Sequence, residues 1–145
     1  MICIFPQVCY FTVPNSYMPI TSHIDKTRDL TIFKSTDVLS FDMALPVVKA
    51  FYEGDPTRHV LWDLIDTTDV QFTSEEVLSI VRFKPRYEGK RGIGKTALVA
   101  QKDILFGLSR MFEIQSGIQE APYPVKVFRS LDEAHQNQGH LLDGR

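Results

Sequence analysis

Apolar residues recur along most of this 145-residue chain in blocks whose spacing alternates between that of a strand and that of a helix. Short apolar runs predict buried strands, and apolar side chains that return every three or four residues predict helices. The clearest helical block runs from Asp103 to about Gln115. Its apolar positions, which predict one continuous buried face, are Ile104, Leu105, Leu108, Met111 and Phe112.

From Met18 onward, the blocks predict nine elements in the order β-β-α-β-α-β-α-β-α. The predicted strands are residues 19–25, 30–34, 59–64, 96–100 and 123–129. The predicted helices are residues 41–53, a segment from 74 that stops at Pro85, residues 103–115, and a helix after Ser130. Strands that alternate with helices favour a mostly parallel sheet with helices packed on it, and the opening hairpin adds an antiparallel N-terminal edge strand. We therefore expect an α/β fold in a single domain.

Capping residues mark the ends of several predicted helices. Ser40 stands just before the first helix and Gly54 just after it, as is typical of helix ends. The run Ser-Leu-Asp-Glu that starts at Ser130 is a capping box and predicts the start of the last helix. Pro46 lies inside the first helix, so this helix either kinks there or starts nearer to Leu45.

The predicted domain spans residues 18–136. Residues 1–16 carry no charged side chain, lack the features of a signal peptide and are too short to span a bilayer. We expect residues 1–17 to be a poorly ordered extension or the product of a misassigned start codon. Residues 137–145 are polar and contain glycine, which predicts a flexible tail.

The composition is that of a soluble globular protein, with 43% hydrophobic and 23% charged residues. The net charge of −2 argues against general binding of nucleic acid. Both cysteines, Cys3 and Cys9, precede the predicted domain, which fits the reducing cytoplasm. We therefore expect a cytoplasmic protein without a membrane span and without a nucleic-acid partner.

Residues 89–96 match the complete phosphate-binding pattern GxxxxGK[ST]. In a nucleotide-binding loop a strand precedes the glycines and a helix starts at the Lys-Thr pair, so that backbone N–H groups and the helix end hold the phosphates. Here the predicted order is reversed, because a helix ends before Gly89 and a strand begins at Lys95 and Thr96. We interpret the segment as a basic connection. Phosphate or anion binding through Gly89, Gly94, Lys95 and Thr96 is the alternative.

Three aspartates follow the central predicted strand, at the carboxyl edge where open α/β sheets bind ligands. Asp63, Asp66 and Asp69 offer oxygen donors of the kind that Mg²⁺ prefers. Their spacing in a loop has no ligand geometry of its own, so we interpret them as solvated turn residues and predict no metal site. No histidine, serine or cysteine pattern is typical of a catalytic set, and we predict neither enzyme activity nor a cofactor.

Three segments of the chain resemble one family of small bacterial α/β domains. They are residues 94–100 (GKTALVA), 106–113 (FGLSRMFE) and 127–134 (VFRSLDEA). These segments are similar to the SpoIIAA-like or STAS-like proteins, and the likeness covers roughly residues 18–136. It implies the STAS-like fold and a non-enzymatic regulatory module with a kinase or anti-sigma type of partner. One departure lies at residues 137–139 (NQG), where these proteins commonly finish the last helix with Trp-Leu.

The resemblance also implies a phosphorylation site at the start of the second predicted helix. In STAS-type anti-sigma antagonists, a strand that ends in Asp-Leu leads to an Asp-Ser-Ser-Gly motif, in which a serine is phosphorylated. Matching Asp63 to that strand end places residues 71–74 at the motif, with its acid and its glycine replaced. Thr73 and Ser74 are then the candidate phospho-acceptors.

Local charge and capping offer a second interpretation of the same two hydroxyls. A phosphoryl group is favoured at a helix N-terminus, but Glu75 and Glu76 already occupy that end and repel a further negative charge. Thr73 or Ser74 is in that case simply the N-cap of the helix.

Three functions from different classes are open at this point. The first is a protein-interaction module, the second a nucleotide-binding or phosphate-binding protein that uses residues 89–96, and the third a binder of apolar, lipid-type ligands. A homodimer is a further expectation, because the opening hairpin leaves a strand edge unpaired.

Overall fold

The structure is a computed structural model that describes residues 2–3, 9–10, 19–83, 89–92, 94–120 and 123–142. Its strands are β1 (Ile2–Cys3), β2 (Cys9–Tyr10), β3 (Ile20–Asp25), β4 (Leu30–Ser35), β5 (Asp37–Ser40), β6 (His59–Asp63), β7 (Thr67–Gln71), β8 (Thr96–Val99) and β9 (Val125–Phe128). Its helices are α1 (Phe41–Glu53), α2 (Ser74–Phe83), α3 (Asp103–Ile118) and α4 (Leu131–Leu142).

The main sheet has five strands in the order β3-β4-β6-β8-β9. Strand β3 runs antiparallel to β4. The pairs β4–β6, β6–β8 and β8–β9 are all parallel. The predicted fold class is therefore confirmed: an α/β domain with a mostly parallel sheet, four helices and an antiparallel edge strand near its N-terminal end.

Helices cover both faces of this sheet. Successive residues of a strand point to opposite faces, and Leu61 and Trp62 of β6 accordingly belong to different apolar clusters. The cluster around Leu61 includes Ala134 of α4. The cluster around Trp62 includes residues of α1, α2 and α3, among them Ala44 and Leu105. The sheet is thus a middle layer, with α4 on one face and the other three helices on the opposite face.

The two-stranded sheet of β5 and β7 was not predicted from the sequence. Strands β5 and β7 pair in parallel beside the main sheet. Strand β7 is polar and only Thr67 is buried in it, so it lacks the apolar run on which a strand prediction depends. The Thr67 hydroxyl donates to the carbonyl oxygen of Ser35 at 3.1 Å and so joins this small sheet to β4. Asp69 consequently lies on a strand, and Asp63 is the buried last residue of β6, so the assignment of these two aspartates to solvated turns was wrong.

The first helix begins where its capping residue predicts. The Ser40 hydroxyl accepts a hydrogen bond from the N–H of Met43 at 3.3 Å, and the N–H of Gly54 donates to the carbonyl oxygen of Ala50 at 3.0 Å. Pro46 lies within the helix, whose first residue is Phe41, so the later start considered from the sequence is wrong.

Described elements lie outside residues 18–136 at both ends of the chain, and the predicted domain boundaries stay a prediction. Helix α4 continues to Leu142, beyond residue 136 where the predicted domain ends and the predicted flexible tail begins. At the N-terminal end, β1 and β2 pair antiparallel. The other residues of the segment 1–17 lie outside the described residues, so their predicted disorder or misassigned start stays a prediction. Among the described residues, no helix is both long and apolar enough to cross a membrane.

Candidate functional site

The glycine-rich segment joins the end of α2 to the start of β8, at the amino edge of the parallel strands. The reversed order predicted from the sequence is therefore confirmed, since a helix precedes the glycines and a strand follows them. Gly89 and Gly92 have positive φ angles of 88° and 61°, which favour glycine because it has no Cβ. The N–H of Gly92 donates to the carbonyl oxygen of Gly89 at 3.2 Å and closes a turn.

Backbone N–H groups of this segment hydrogen-bond to the protein itself. The N–H of Arg91 donates to the hydroxyl of Tyr123 at 3.0 Å. The N–H of Lys95 donates to Nδ1 of His59 at 3.3 Å. The N–H of Thr96 donates to the carbonyl oxygen of Pro124 at 2.9 Å. These donors would have to leave their present acceptors before they could hold a phosphate.

Arg91 is buried, with 1% of its surface exposed. Its guanidinium makes four hydrogen bonds to neutral oxygen atoms. The acceptors are the carbonyl oxygens of Arg58 (2.9 Å) and Lys95 (2.8 Å), and the hydroxyls of Tyr52 (3.0 Å) and Thr96 (3.0 Å). The ring of Tyr123 lies 4.5 Å from the central carbon of the guanidinium, within the range of a cation–π contact.

These contacts join elements that are far apart in the sequence. Through them Arg91 links α1, the start of β6, the start of β8 and the segment before β9. Lys90 adds a second link, because its ammonium donates to the carbonyl oxygens of Tyr52 (2.8 Å) and Gly54 (3.2 Å) at the end of α1. A cation is favoured at that end of a helix. We call Arg91 and its hydrogen-bond acceptors the Arg91 clamp.

Gly94 and Thr96 have structural explanations of their own. A Cβ on Gly94 would lie 1.7 Å from the carbonyl oxygen of Arg58, so the backbones approach too closely for any other residue. The Thr96 hydroxyl accepts a hydrogen bond from Arg91, whereas the corresponding hydroxyl of a nucleotide-binding loop faces Mg²⁺. Both positions of the pattern therefore serve the Arg91 clamp in this structure.

His59 is buried beside the clamp, with 1% of its surface exposed. Burial lowers the pKa of His59 to about 4, and the nearby positive charges of Arg58 and Arg91 act in the same direction. At neutral pH the imidazole is therefore uncharged, and its Nδ1 accepts the hydrogen bond from Lys95.

Thr73 and Ser74 have different surroundings at the start of α2. The Thr73 hydroxyl accepts from the N–H of Glu76 at 3.1 Å, and the Glu76 carboxylate accepts from the N–H of Thr73 at 2.9 Å. This reciprocal arrangement is a capping box. Ser74 is the first residue of the helix and is exposed. Thr73 thus has a structural role, whereas the Ser74 hydroxyl faces solvent.

The three aspartates are held in separate contacts. Asp63 accepts from the N–H of Ile65 at 3.1 Å, and Asp69 accepts from the N–H of Val70 at 2.8 Å. Asp66 forms a 2.9 Å ion pair with Lys34, and this hydrogen bond is the main reason why the pKa of Lys34 is raised. No group of three acidic, histidine or cysteine side chains in the described part of the chain is arranged to hold a metal ion.

Helix α3 differs from its sequence-based description. Ile104, predicted to face the core, is 60% exposed. Ile114 is 50% exposed and Ile118 is 64% exposed. Gly107 is exposed on the same helix, and an added Cβ would meet no atom within 4 Å. The apolar face of α3 thus extends to the surface, and we call Ile104, Gly107, Ile114 and Ile118 the outer face of α3.

No family model and no curated protein matches the sequence. Solved structures similar to the chain include the anti-sigma factor antagonist SpoIIAA in its unphosphorylated form, at 11% identity and a TM-score of 0.47, covering 83% of this chain and 97% of that one. The phosphorylated SpoIIAA of Bacillus, a cell fate determinant, has 13% identity and a TM-score of 0.47, covering 81% and 97%.

A third similar structure is an uncharacterised protein of the DUF3478 family from Shewanella loihica PV-4, which has a SpoIIAA-like fold. It shares 16% identity with a TM-score of 0.48, and the match covers 81% of this chain and 91% of that one. At these identities and TM-scores the similarity gives no information on what the chain binds. The α/β fold rests on the strand order and the helix packing described above.

Several residues of the Arg91 clamp were not singled out from the sequence. The phosphate-binding pattern draws attention to Lys95 and leaves Arg91 at an unspecified position. Tyr52 and Tyr123 of the clamp, and His59 beside it, lie 32 to 39 residues from Arg91 in the sequence, and no local spacing connects them to it. Their role comes from tertiary packing alone.

Proposed function

We propose that the chain is a non-enzymatic cytoplasmic module that regulates by contact with another protein, and that the outer face of α3 makes this contact. The exposure of Ile104, Ile114 and Ile118 carries the proposal. Scattered apolar residues are normal at a protein surface, but three isoleucines on one helix form an apolar strip that is typical of a contact surface.

The charges beside this strip favour an uncharged partner surface. Arg110 forms an ion pair with Glu113 at 3.0 Å. Arg129 forms an ion pair with Asp103 at 2.9 Å, and its guanidinium lies 3.9 Å from the ring centre of Phe106. These two cations are therefore paired with carboxylates of the same chain. Such a surface offers little attraction to a polyanion, and it fits an apolar helix of another protein.

Gly107 supports close approach of that partner helix. Glycine within a helix costs about 1 kcal/mol relative to alanine. No neighbouring atom of the described chain requires a glycine there. An open position between Ile104 and Ile114 accommodates a bulky side chain of the partner.

Photocrosslinking in the native host tests this proposal. A photoreactive p-benzoylphenylalanine in place of Ile114 should capture a partner that the same group in place of Lys49 does not capture. Lys49 is an exposed residue of α1 and serves as the control position. Capture of the same proteins at both positions would contradict a specific contact at α3.

The captured protein is then purified and its affinity measured directly. Ile114→Asp and Ile118→Asp should each weaken binding about tenfold, because a buried charge replaces an apolar contact. Lys49→Asp should leave the affinity unchanged. Unchanged affinity in both isoleucine variants would exclude the outer face of α3 as the binding surface.

The resemblance to STAS-type proteins makes a kinase or anti-sigma regulator the expected class of partner, with Thr73 and Ser74 as candidate phospho-acceptors. Of these, Ser74 is favoured because Thr73 caps the helix. Intact mass of protein from the native host should show an added phosphate that Ser74→Ala removes. An unmodified mass under every growth condition would contradict this switch.

The homodimer stays a prediction. Strand β3 is an edge of the main sheet and pairs only with β4 among the described strands. Sedimentation over a range of concentrations separates self-association from binding to a different protein.

A further inference from the structure

An apolar cavity of about 70 Å³ lies inside the domain, between the main sheet and the helices α1, α2 and α3. Its lining side chains are aliphatic or aromatic except for two hydroxyl residues, Thr96 and Ser109. The Thr96 hydroxyl oxygen accepts a hydrogen bond from Arg91. Ser109 differs from Thr96 because its hydroxyl makes no hydrogen bond within the described chain.

Ser109 is buried without a hydrogen-bond partner. Its exposed fraction is 1%, and its hydroxyl oxygen makes no hydrogen bond within the described chain. A buried polar group without a hydrogen-bond partner is unfavourable, and nearly all buried polar groups in proteins have partners. A hydroxyl held against an apolar cavity is placed to bind an oxygen atom of a guest molecule.

We propose that this cavity binds a small, mainly apolar molecule that carries one carbonyl oxygen, to which the Ser109 hydroxyl donates. The volume limits the size of the guest, since an engineered cavity of ~150 Å³ binds benzene and this cavity is about half as large. Short ketones and aldehydes fit these limits, whereas a lipid chain does not. The inference does not depend on the proposed protein contact, which uses the opposite side of α3.

Ser116 provides a matched control within the same helix. It is 4% exposed, and its hydroxyl also lacks a partner within the described chain. It lies seven residues after Ser109 on α3, but it does not line the cavity. The two serines therefore differ in cavity access while sharing helix, burial and hydrogen-bonding state.

The experiment is a titration of the full chain with acetone, followed by NMR of the leucine methyl groups. Leu98 and Leu108 line the cavity and report binding there, and Leu30 in the cluster under α4 reports non-specific solvent effects. Xenon is the second probe, because it fills apolar cavities and makes no hydrogen bond.

Acetone should shift the Leu98 and Leu108 methyl signals to saturation and leave Leu30 unchanged. Ser109→Ala should weaken acetone binding about tenfold, which corresponds to one hydrogen bond, and leave xenon binding unchanged. Ser116→Ala should alter neither. If Ser109→Ala does not fold, Ser109→Cys replaces it, since a thiol is a weak donor of similar size.

Two results would overturn the inference. Absence of saturable shifts with both probes would show that the cavity admits no guest. Equal acetone affinity in the native chain and in Ser109→Ala would show an apolar void in which Ser109 has no part.

Discussion

Buried polar groups at the amino edge of the sheet and in helix α3 differ in their hydrogen bonding. Arg91 at the edge and Ser109 in α3 are equally buried, yet the first makes four side-chain hydrogen bonds and the second makes none. The edge contains the most recognisable binding pattern of the sequence, and α3 contains no motif. Multiple hydrogen bonds within the chain indicate a structural role, whereas unsatisfied groups and exposed apolar side chains indicate a surface or cavity available for binding.

Removing the Arg91 guanidinium should give the largest change in unfolding free energy among the variants that test this comparison. Arg91→Met keeps most of the side-chain length but leaves up to four oxygen acceptors without this donor, two in buried and two in partly buried hydrogen bonds. We therefore expect a loss of about 4 kcal/mol in unfolding free energy. Urea unfolding provides the measurement, with the exposed Arg82→Met of α2 as a control that should change stability by less than about 0.5 kcal/mol. A loss below about 1 kcal/mol for Arg91→Met would contradict the structural role of the clamp.

Adding one methyl group at each of two glycines, one at the amino edge of the sheet and one in α3, tests the same comparison. Gly94→Ala places a Cβ against the Arg58 carbonyl oxygen and should cost about 3 kcal/mol through overpacking. Gly107→Ala in α3 meets no atom and should stabilise the helix by about 0.5–1 kcal/mol. Equal effects of the two substitutions on the urea midpoint would contradict the assigned environments.

Acid should weaken the clamp region through His59. Its pKa is lowered from 6.5 to about 4 in the folded protein, so the unfolded chain binds a proton first as the pH falls through this range. Stability is therefore full above pH 6.5 and should fall by on the order of 2 kcal/mol as the pH approaches 4. Urea unfolding at several pH values, together with NMR titration of the imidazoles, measures both quantities. The exposed His23 is the control, and a His59 that titrates near 6.5 would contradict its buried, uncharged state.

The helix cap at Thr73 should give the smallest effect. Thr73→Ala removes the acceptor of the Glu76 N–H and should cost about 1 kcal/mol. Ser74→Ala changes an exposed hydroxyl and should cost less than about 0.5 kcal/mol. If Ser74→Ala were the more destabilising of the two in thermal unfolding, the capping assignment would be wrong.

Local rules predicted the elements that depend on neighbouring residues. The bounds of α1 follow from Ser40 and Gly54, whose hydrogen bonds lie within four residues of each cap. The pairing of β3 with β4 follows from the polar turn between them. The reversed order around residues 89–96 also followed from apolar spacing alone.

Features that depend on distant contacts were missed. Strand β7 is stabilised by pairing with β5 across some 30 residues, and its own sequence is too polar to indicate a strand. Ile104 fits the apolar period of α3, but the sheet and its neighbouring helices do not reach that side of the helix. A cation is seldom buried without partners. The burial of Arg91 requires acceptors from Tyr52 and Arg58, and the local sequence around Arg91 cannot show that these acceptors are nearby.

Isothermal titration with ATP and Mg²⁺ tests most directly whether residues 89–96 form part of the scaffold or a phosphate site. We expect no saturable heat at millimolar nucleotide, because the N–H groups of Arg91, Lys95 and Thr96 already have acceptors. A saturable heat that Lys95→Ala abolishes and Arg82→Ala leaves intact would contradict the structural assignment and establish nucleotide binding instead.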